Sequence, residues 1–496
     1  MRYIGLDVGT SGCKAAIVDG QGAIYATAKR EYSFEMPASG YAELDPALVW
    51  NAVLETLSEI GPRSGGVAAL AVSSIGESLV MLDRDDKPLA KSIIYLDARG
   101  KDILPYIAGK IDARELFAIT GMHNHRMYSL CRFLWYRKNT PSVIENADKI
   151  CMFCDFLNYQ LTGKRALDPG SASRSSMFNA KKREWSASIM DLFAIPQEKF
   201  SPVAATGAII GNLLPQIART TGLPKDLQVV LGCHDQCSAT LGAGVLDQGQ
   251  IMLGEGSTEG INAIIKTEHI DEDALFKKQI SLEPYISPDT YIAALGTLQH
   301  GTAIQWFVQN NAAFYDTKPS LENETLFAKA DRYCAENSGE LYFIPYLSRS
   351  NIMDTANQAL GCFIGLEFDS TVNTMYCAVL EGLAFETKYN MLNLEQSGYT
   401  PEFFAATGGG AKSALLMQIK ADVLDCAINI PQSADSGIVG LAMICAVAMG
   451  EYHNYREAAE RFIKIKKTFN PQTDCRMRCN RYIQINRTIK KLYDVI

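Results

Sequence analysis

Apolar residues fall in short blocks punctuated by glycine near both ends of this chain and at helical spacing between them, which predicts strands gathered around turns with helices connecting them. The first block is Tyr3, Ile4, Leu6 and Val8, interrupted only by Asp7, and it enters a turn of Gly9, Thr10, Ser11 and Gly12. Lys14-Ala-Ala-Ile-Val-Asp19 leads out of that turn, through Gly20-Gln21-Gly22, to a third apolar run over 23–28. The pattern reads as strand, turn, strand, tight turn, strand. A second copy follows in the other half: Gly249-Gln-Ile-Met-Leu-Gly254, the turn Gly256-Ser257-Thr258-Glu259-Gly260, and Ile261-Asn-Ala-Ile-Ile265. Two related halves facing one nucleotide are the expectation.

Further elements are placed by the same signals. Asp45-Pro46 followed by Val49, Trp50, Val53, Leu54 and Leu57 predicts a capped helix that stops at Gly61-Pro62. Val67-Ala-Ala-Leu-Ala-Val-Ser73 predicts a buried strand ending near Gly76 and Glu77, and Ser92-Ile-Ile-Tyr-Leu-Asp97 a strand ending in an Asp97/Arg99 pair. Residues 104–163 read as helical, and Val229-Val-Leu-Gly-Cys-His-Asp235 as a strand running into an acid ahead of a small-residue helix over 238–245. Later come a strand at 291–296, a helix at 303–308, and a strand at Phe403 running into Gly408-Gly409-Gly410, which open a helix over 415–425. A helix over 437–449 and a charged, helical tail over 451–496 complete the chain.

With 496 residues the chain exceeds what one hydrophobic core holds, so two domains are expected, 1–245 and 246–496. Ordinary composition, 47% hydrophobic and 21% charged, fits a globular protein. A net charge of −8 gives no footprint for nucleic acid, and no apolar run is long enough to span a bilayer. The opening run, broken by Asp7, does not read as a signal peptide, so a cytoplasmic location is expected. The 13 cysteines are odd in number and scattered, which fits free thiols better than a disulfide framework. Cys151/Cys154, Cys233/Cys237 and Cys475/Cys479 each have a spacing that could belong to half a zinc site, but most lie in apolar surroundings typical of core cysteine.

The glycine turns present backbone N–H groups and hydroxyls of the kind that hold polyphosphate, and Asp7 beside the first suits the magnesium that accompanies phosphates. Glu77, at a strand end, reads either as a substrate contact or as a turn glutamate. The Asp97/Arg99 pair reads either as a structural bridge or as a substrate contact. Asp235 is placed as a catalytic base would be, or as the cap of the next helix. His123 and His125 flank Asn124 with no third metal ligand evident nearby.

These stretches together resemble the FGGY carbohydrate kinase family over nearly the full chain. Asp7-Val-Gly-Thr-Ser11 is similar to its first phosphate motif, Gly256-Ser257-Thr258 to its second, and Gly408-Gly-Gly-Ala-Lys-Ser413 to its adenosine motif. Met127-Tyr-Ser-Leu-Cys-Arg-Phe-Leu-Trp135 resembles one signature, with Arg132 where lysine is usual; Gly361 to Leu366 with Ala378-Val-Leu-Glu381 resembles the other, with Thr374 at a polar or acidic position. The resemblance implies an α/β fold of two ribonuclease-H-like domains, as in actin and Hsp70, with ATP and a sugar in the cleft between them. It implies Asp235 as general base, Gln236 as a substrate contact, Asp7 at Mg²⁺, and Thr10, Ser11, Lys14, Gly256, Ser257, Thr258, Gly301, Gln305, Gly409, Gly410 and Ser413 around ATP.

Gly76, Glu77, Asp97, Met127 and Gln236 are the expected substrate positions. Glycerol kinases resemble this chain at Glu77, Asp235 and Gln236 but carry Arg and Tyr where it has Gly76 and Met127, and xylulokinases carry Met-His at Gly76-Glu77. Loss of two large polar side chains predicts an enlarged pocket for a ketopentose such as xylulose, or another four- to six-carbon polyol or sugar acid. Alternatives are a glycerol- or erythritol-type polyol kinase, an actin- or Hsp70-like ATPase acting on a protein partner, and a non-catalytic sugar sensor. The expected partner is thus a small sugar or polyol, with neither nucleic acid nor membrane, and self-association into a homodimer is left open.

Overall fold

The computed structural model describes residues 1–297, 299–334, 338–347 and 359–493. Strands are numbered here along the two large sheets. The three strands expected at the N-terminus form as β1 (Arg2–Val8), β2 (Gly12–Asp19) and β3 (Ile24–Glu31), antiparallel, with Asp7 opposite Lys14. On its other side β1 pairs in parallel with β4 (Val67–Ser74). β5 (Ile209–Asn212) and β6 (Gln228–His234) complete the sheet, in the order β5-β6-β4-β1-β2-β3. β4 is buried on both faces, as a parallel strand covered by helices must be, which is why it reads as a continuous Val/Ala/Leu run.

The second sheet repeats the plan. β7 (Gln250–Glu255), β8 (Glu259–Lys266), β9 (Ser281–Pro284), β10 (Thr290–Thr297), β11 (Phe403–Thr407), β12 (Ile428–Pro431) and β13 (Ile465–Phe469) lie in the order β9-β10-β8-β7-β11-β12-β13. β10-β8-β7 is the antiparallel meander and β7-β11-β12 the parallel part, matching β3-β2-β1 and β1-β4-β6. This duplicated order is that of the ribonuclease-H-like, actin-type fold.

Helix α1 (Pro46–Ile60) begins as the sequence predicts, with the Asp45 carboxylate accepting from the Ala47 amide, and buries Val49, Val53, Leu57 and Ile60. Two helices lie between the sheets: α2 (Asp235–Gly242), and later α5 (Ser436–Ala448). They cross with backbones almost touching. A Cβ on Gly242 would stand 1.8 Å from the Ser436 carbonyl, and one on Gly440 2.0 Å from the Ser238 carbonyl, so only glycine fits either site. Around them Tyr3, Val18 and Ala71 share one buried cluster with Met252, Ile264 and Ala405 and with Ile438, Leu441 and Ile444.

Several local expectations are corrected. Only Ser92–Ile93 of the predicted 92–97 strand is extended in a ladder, and the segment beyond is loop. The stretch 104–163 is not continuously helical: strand Lys149–Met152 pairs antiparallel with Leu79–Leu82, a four-residue apolar run whose period cannot distinguish strand from helix. Helix α2 begins on Asp235 itself, and the helix near 415 runs as α4 (Ala414–Leu424), preceded by a 3₁₀ turn at Gly410–Lys412, so the three glycines stand outside it. The tail forms helix Tyr455–Phe462, strand β13 and helix Arg476–Tyr493, with 494–496 outside the described residues.

Candidate active site

The first turn is closed by the Gly9 amide donating to the Gly12 carbonyl at 2.9 Å, and Tyr32 braces it by donating its hydroxyl to the Gly9 carbonyl at 2.7 Å. Ser11 is left exposed at the tip. Asp7, at the end of β1, accepts from the Ser73 hydroxyl at 2.7 Å. Gly437 at the start of α5 brings its backbone close enough that a Cβ there would lie 3.9 Å from the Asp7 carboxylate. Burial, and then the charge of Asp235, push Asp7 up to about 6, with the Ser73 hydrogen bond opposing them. A buried carboxylate raised by burial and by a neighbouring carboxylate favours a cation beside it. Lys14 Nζ is held by Asp435 Oδ2 at 2.5 Å.

In the second turn, Gly256, Ser257 and Thr258 are exposed. Helix α3 (Gly301–Asn310) supports them from below: the amides of His300 and Thr302 donate to the Ser257 carbonyl at 3.1 and 3.2 Å, and that of Gly301 to the Gly256 carbonyl at 3.1 Å. Gln305 is exposed on this helix. The turn is anchored by charge as well. Glu255 and Glu259 flank it, fully buried, and Lys420 of α4 lies between them, 2.6 Å from Glu255 Oε1 and in direct contact with Glu259. Burial alone would raise Glu255, but Lys420 and His300 outweigh it and hold it down to about 2. Gly408, at φ +93°, packs on the Glu255 carbonyl, so the turn bearing Gly409 and Gly410 adjoins the second phosphate-type turn.

A cleft of about 440 Å³ runs along the second turn, lined from the first half by Met127, Arg174, His234 and Gln236 and from the second by Gly256, Thr258 and Glu283. Asp235, at the start of α2, keeps about a third (31%) of its side chain exposed, and burial with the nearby Glu77 and Glu283 raises it while His234 lowers it. Gln236 Oε1 accepts from Asn262 Nδ2 at 3.2 Å. Arg174 donates from Nε to Glu77 Oε1 at 2.7 Å and stands 3.7 Å from Glu283 Oε2.

The residues on each side of this cleft match one family in order and extent. Residues 2–242 match the N-terminal domain and 256–449 the C-terminal domain of the FGGY family of carbohydrate kinases. The chain belongs to that family. Among its relatives, a xylulose kinase from Staphylococcus epidermidis is 24% identical, with 98% of this chain and 96% of that protein covered. A gluconokinase from Bacillus subtilis is 24% identical over 91% of this chain and 88% of that protein. The ligand-bound xylulose kinase structure from Lactobacillus acidophilus superposes with a TM-score of 0.86 at 25% identity, covering 99% and 96% of the two chains. An ATP-dependent carbohydrate kinase therefore replaces the actin- or Hsp70-like ATPase and the non-catalytic sensor among the readings open from sequence. Among the described residues no helix is long and apolar enough to cross a membrane.

As an FGGY kinase the chain departs from its sequence-level reading at three places. Asp97 is fully buried and its carboxylate is taken up by the Arg99 guanidinium and the Ala42 amide (2.6 Å), so it is a structural ion pair and does not face the cleft. Arg132 closes the same knot by donating to the carbonyls of Arg99 and Asp97. Ser413 caps α4, accepting from the Leu416 amide at 3.1 Å and donating to Asp331 at 2.7 Å, which commits its hydroxyl. Gly76 opens no extra volume: a Cβ there would meet Arg174 Cγ at 2.7 Å and His234 Cδ2 at 2.9 Å. Arg174 supplies beside Glu77 the guanidinium that the local sequence lacks.

His123 stacks on Phe117 and Phe276 as a core residue, and burial holds both it and His125 down to about 4, hence neutral. All 13 cysteines are free. Burial pushes the thiols of Cys151, Cys233 and Cys237 well up, as expected of neutral core cysteines.

Proposed function

We propose that this kinase transfers the γ-phosphoryl group of ATP to a primary hydroxyl of a neutral sugar, a ketopentose of the xylulose type, with Asp235 as general base. The observation that carries this is the place of Asp235: a partly exposed carboxylate at a helix start, whose neighbours His234 and Gln236 line a cleft of about 440 Å³ together with Arg174 and the second glycine turn. Glu77 and Arg174 offer acceptor and donor to vicinal hydroxyls, Gln236 and Asn262 offer amides, and Met127 gives an apolar wall against the carbon chain. Arg174 is matched by two carboxylates, so it has no surplus charge for an acidic substrate, which favours a neutral sugar over an aldonate.

Asp235 accepts the proton of the attacking hydroxyl as its oxygen bonds to phosphorus and the bridging oxygen leaves with ADP. Phosphoryl transfer asks the protein mainly for position and electrostatic support. Amides and hydroxyls at Thr10, Ser11, Gly256, Ser257 and Thr258 are assigned to the phosphates, and Gly301, Gln305, Gly409 and Gly410 to the nucleoside side. Asp7, raised by burial and then by Asp235, and opposite Lys14, suits Mg²⁺, which when bound neutralises charge on the phosphates. Residues 1–245 and 246–496 are assigned as the two domains that close on the substrates and exclude water.

The test is a screen of ketopentoses, polyols and aldonates for ADP release, together with Asp235→Asn. Expected are a ketopentose with the highest kcat/KM and a variant slowed by about 10²–10⁴ with ATP affinity retained. Wild-type turnover by Asp235→Asn overturns the assignment of the base, and an aldonate as best substrate overturns the reading of Arg174.

A further inference from the structure

The residue before the proposed base is itself built into a buried chain of charges. His234 ends β6 and Asp235 begins α2, and the ring Nε2 stands 3.1 Å from Asp235 Oδ1. On its far side Nδ1 lies 2.7 Å from Glu283 Oε1. Side-chain exposure is 5% for His234 and 2% for Glu283, so that contact is shielded from water. Glu283 belongs to β9, on the edge of the second sheet, so the chain of charges spans both sheets.

A neutral imidazole has one N–H and one lone pair. A neutral ring protonated at Nδ1 would hydrogen-bond Glu283 but would place no positive charge beside the two carboxylates, whose oxygens stand 2.7 and 3.1 Å from its nitrogens. Only the imidazolium both donates to Glu283 and sets a positive charge within ion-pair distance of Asp235. We propose that His234 is a positioning residue, an imidazolium tied to Glu283 that fixes the Asp235 carboxylate and keeps it anionic beside Glu77 and Glu283. This rests on Asp235 being the base.

The charges around the ring agree. Facing it are Asp235, Glu283, Arg174 and, farther off, the buried Asp168, while the Cys237 thiol donates to the same Glu283 oxygen at 3.1 Å. Without a charged ring, Arg174 alone would offset Glu77, Glu283, Asp168 and Asp235. Burial pulls His234 towards neutrality, but Glu283 and then Asp235 outweigh it and carry the ring to about 9. A metal held by His234, Cys237 and Glu283 fits less well: the 2.7 Å between nitrogen and oxygen is a hydrogen-bond length, whereas two such ligands on a tetrahedral zinc stand about 3.3 Å apart.

The experiment is the pH profile of kcat for His234→Gln, Glu283→Gln and Asp235→Asn in the full-length protein. His234→Gln keeps a donor and loses the charge. Its kcat is expected to fall at least about tenfold with KM for ATP little changed. The acid limb of its profile moves up by about one pH unit, because Asp235 loses its neighbouring cation, and its alkaline fall disappears. In Glu283→Gln the alkaline limb moves down, because the ring loses a carboxylate. Unmoved limbs in His234→Gln overturn the positioning role, and if that variant does not fold, an unmoved alkaline limb in Glu283→Gln does so. Should Asp235→Asn retain turnover, the base itself is misassigned; should it be inactive while the other profiles stay put, only the role of His234 falls.

Discussion

Lys420 Nζ lies 2.6 Å from the carboxylate of Glu255, the last residue before the second glycine turn, and neither side chain has any exposed surface. Lys420 also contacts Glu259 on the far side of that turn, so one ammonium clamps both ends of a loop assigned to phosphate. Buried pairs add little over apolar packing, yet breaking one leaves an uncompensated charge. Lys420→Met is therefore expected to cost about 3–5 kcal/mol of stability and to raise KM for ATP more than KM for sugar. Calorimetry with steady-state kinetics checks it, and an unchanged Tm would show that the clamp is dispensable.

Gly76 provides a sharper test of the sugar site. A methyl group there collides with Arg174 and His234 at under 3.0 Å, so Gly76→Ala must displace the guanidinium from Glu77 or the ring from Asp235. The expected result is a fall in kcat/KM for the sugar of about tenfold or more, with KM for ATP nearly constant. A variant of wild-type efficiency on the sugar would mean that Arg174 can shift without consequence.

Asp7 ties activity to stability in opposite senses. Its pKa is raised to about 6 from an ordinary 3.8, so the ionised carboxylate is less favourable in the folded chain than in the unfolded one. The cost is absent below about pH 4, grows between about pH 4 and 6, and stays constant above that. Without added metal, Asp7→Asn is expected to melt higher than wild type at pH 8 and alike at pH 4, while losing about 10²-fold or more in kcat at saturating magnesium. Apparent magnesium affinity of the wild type is expected to weaken as pH falls through 6. Equal melting of the two proteins at pH 8 would show that neither burial nor Asp235 makes the Asp7 charge costly.

Much of this was legible in the sequence because its signals are local. The glycine turns between buried β runs, the Asp45-Pro46 helix start and the isolated Asp235 at a strand end all announce themselves within a few residues. Arg174 was not legible: it meets Glu77 across 97 positions, and nothing in its serine-rich surroundings marks it. The absence of an arginine at Gly76 thus read as open space. Glu283 did carry a signal, a carboxylate within the wholly buried strand Ser281–Pro284, where an acid requires a partner. Ser413 carried the ordinary mark of a helix cap, and the glycine motif beside it drew the reading towards nucleotide instead.

The cluster that α5 completes also constrains how the protein is made. Tyr3 and Val18 pack with Leu441, Ile444 and Ala446, and the Tyr3 hydroxyl donates to Glu451, 448 positions later, so β1 is covered by residues that leave the ribosome long after it. At translation speeds of about 5–20 residues per second, that apolar face stays bare for roughly tens of seconds. A chain stopped before Ser436 never acquires this cover.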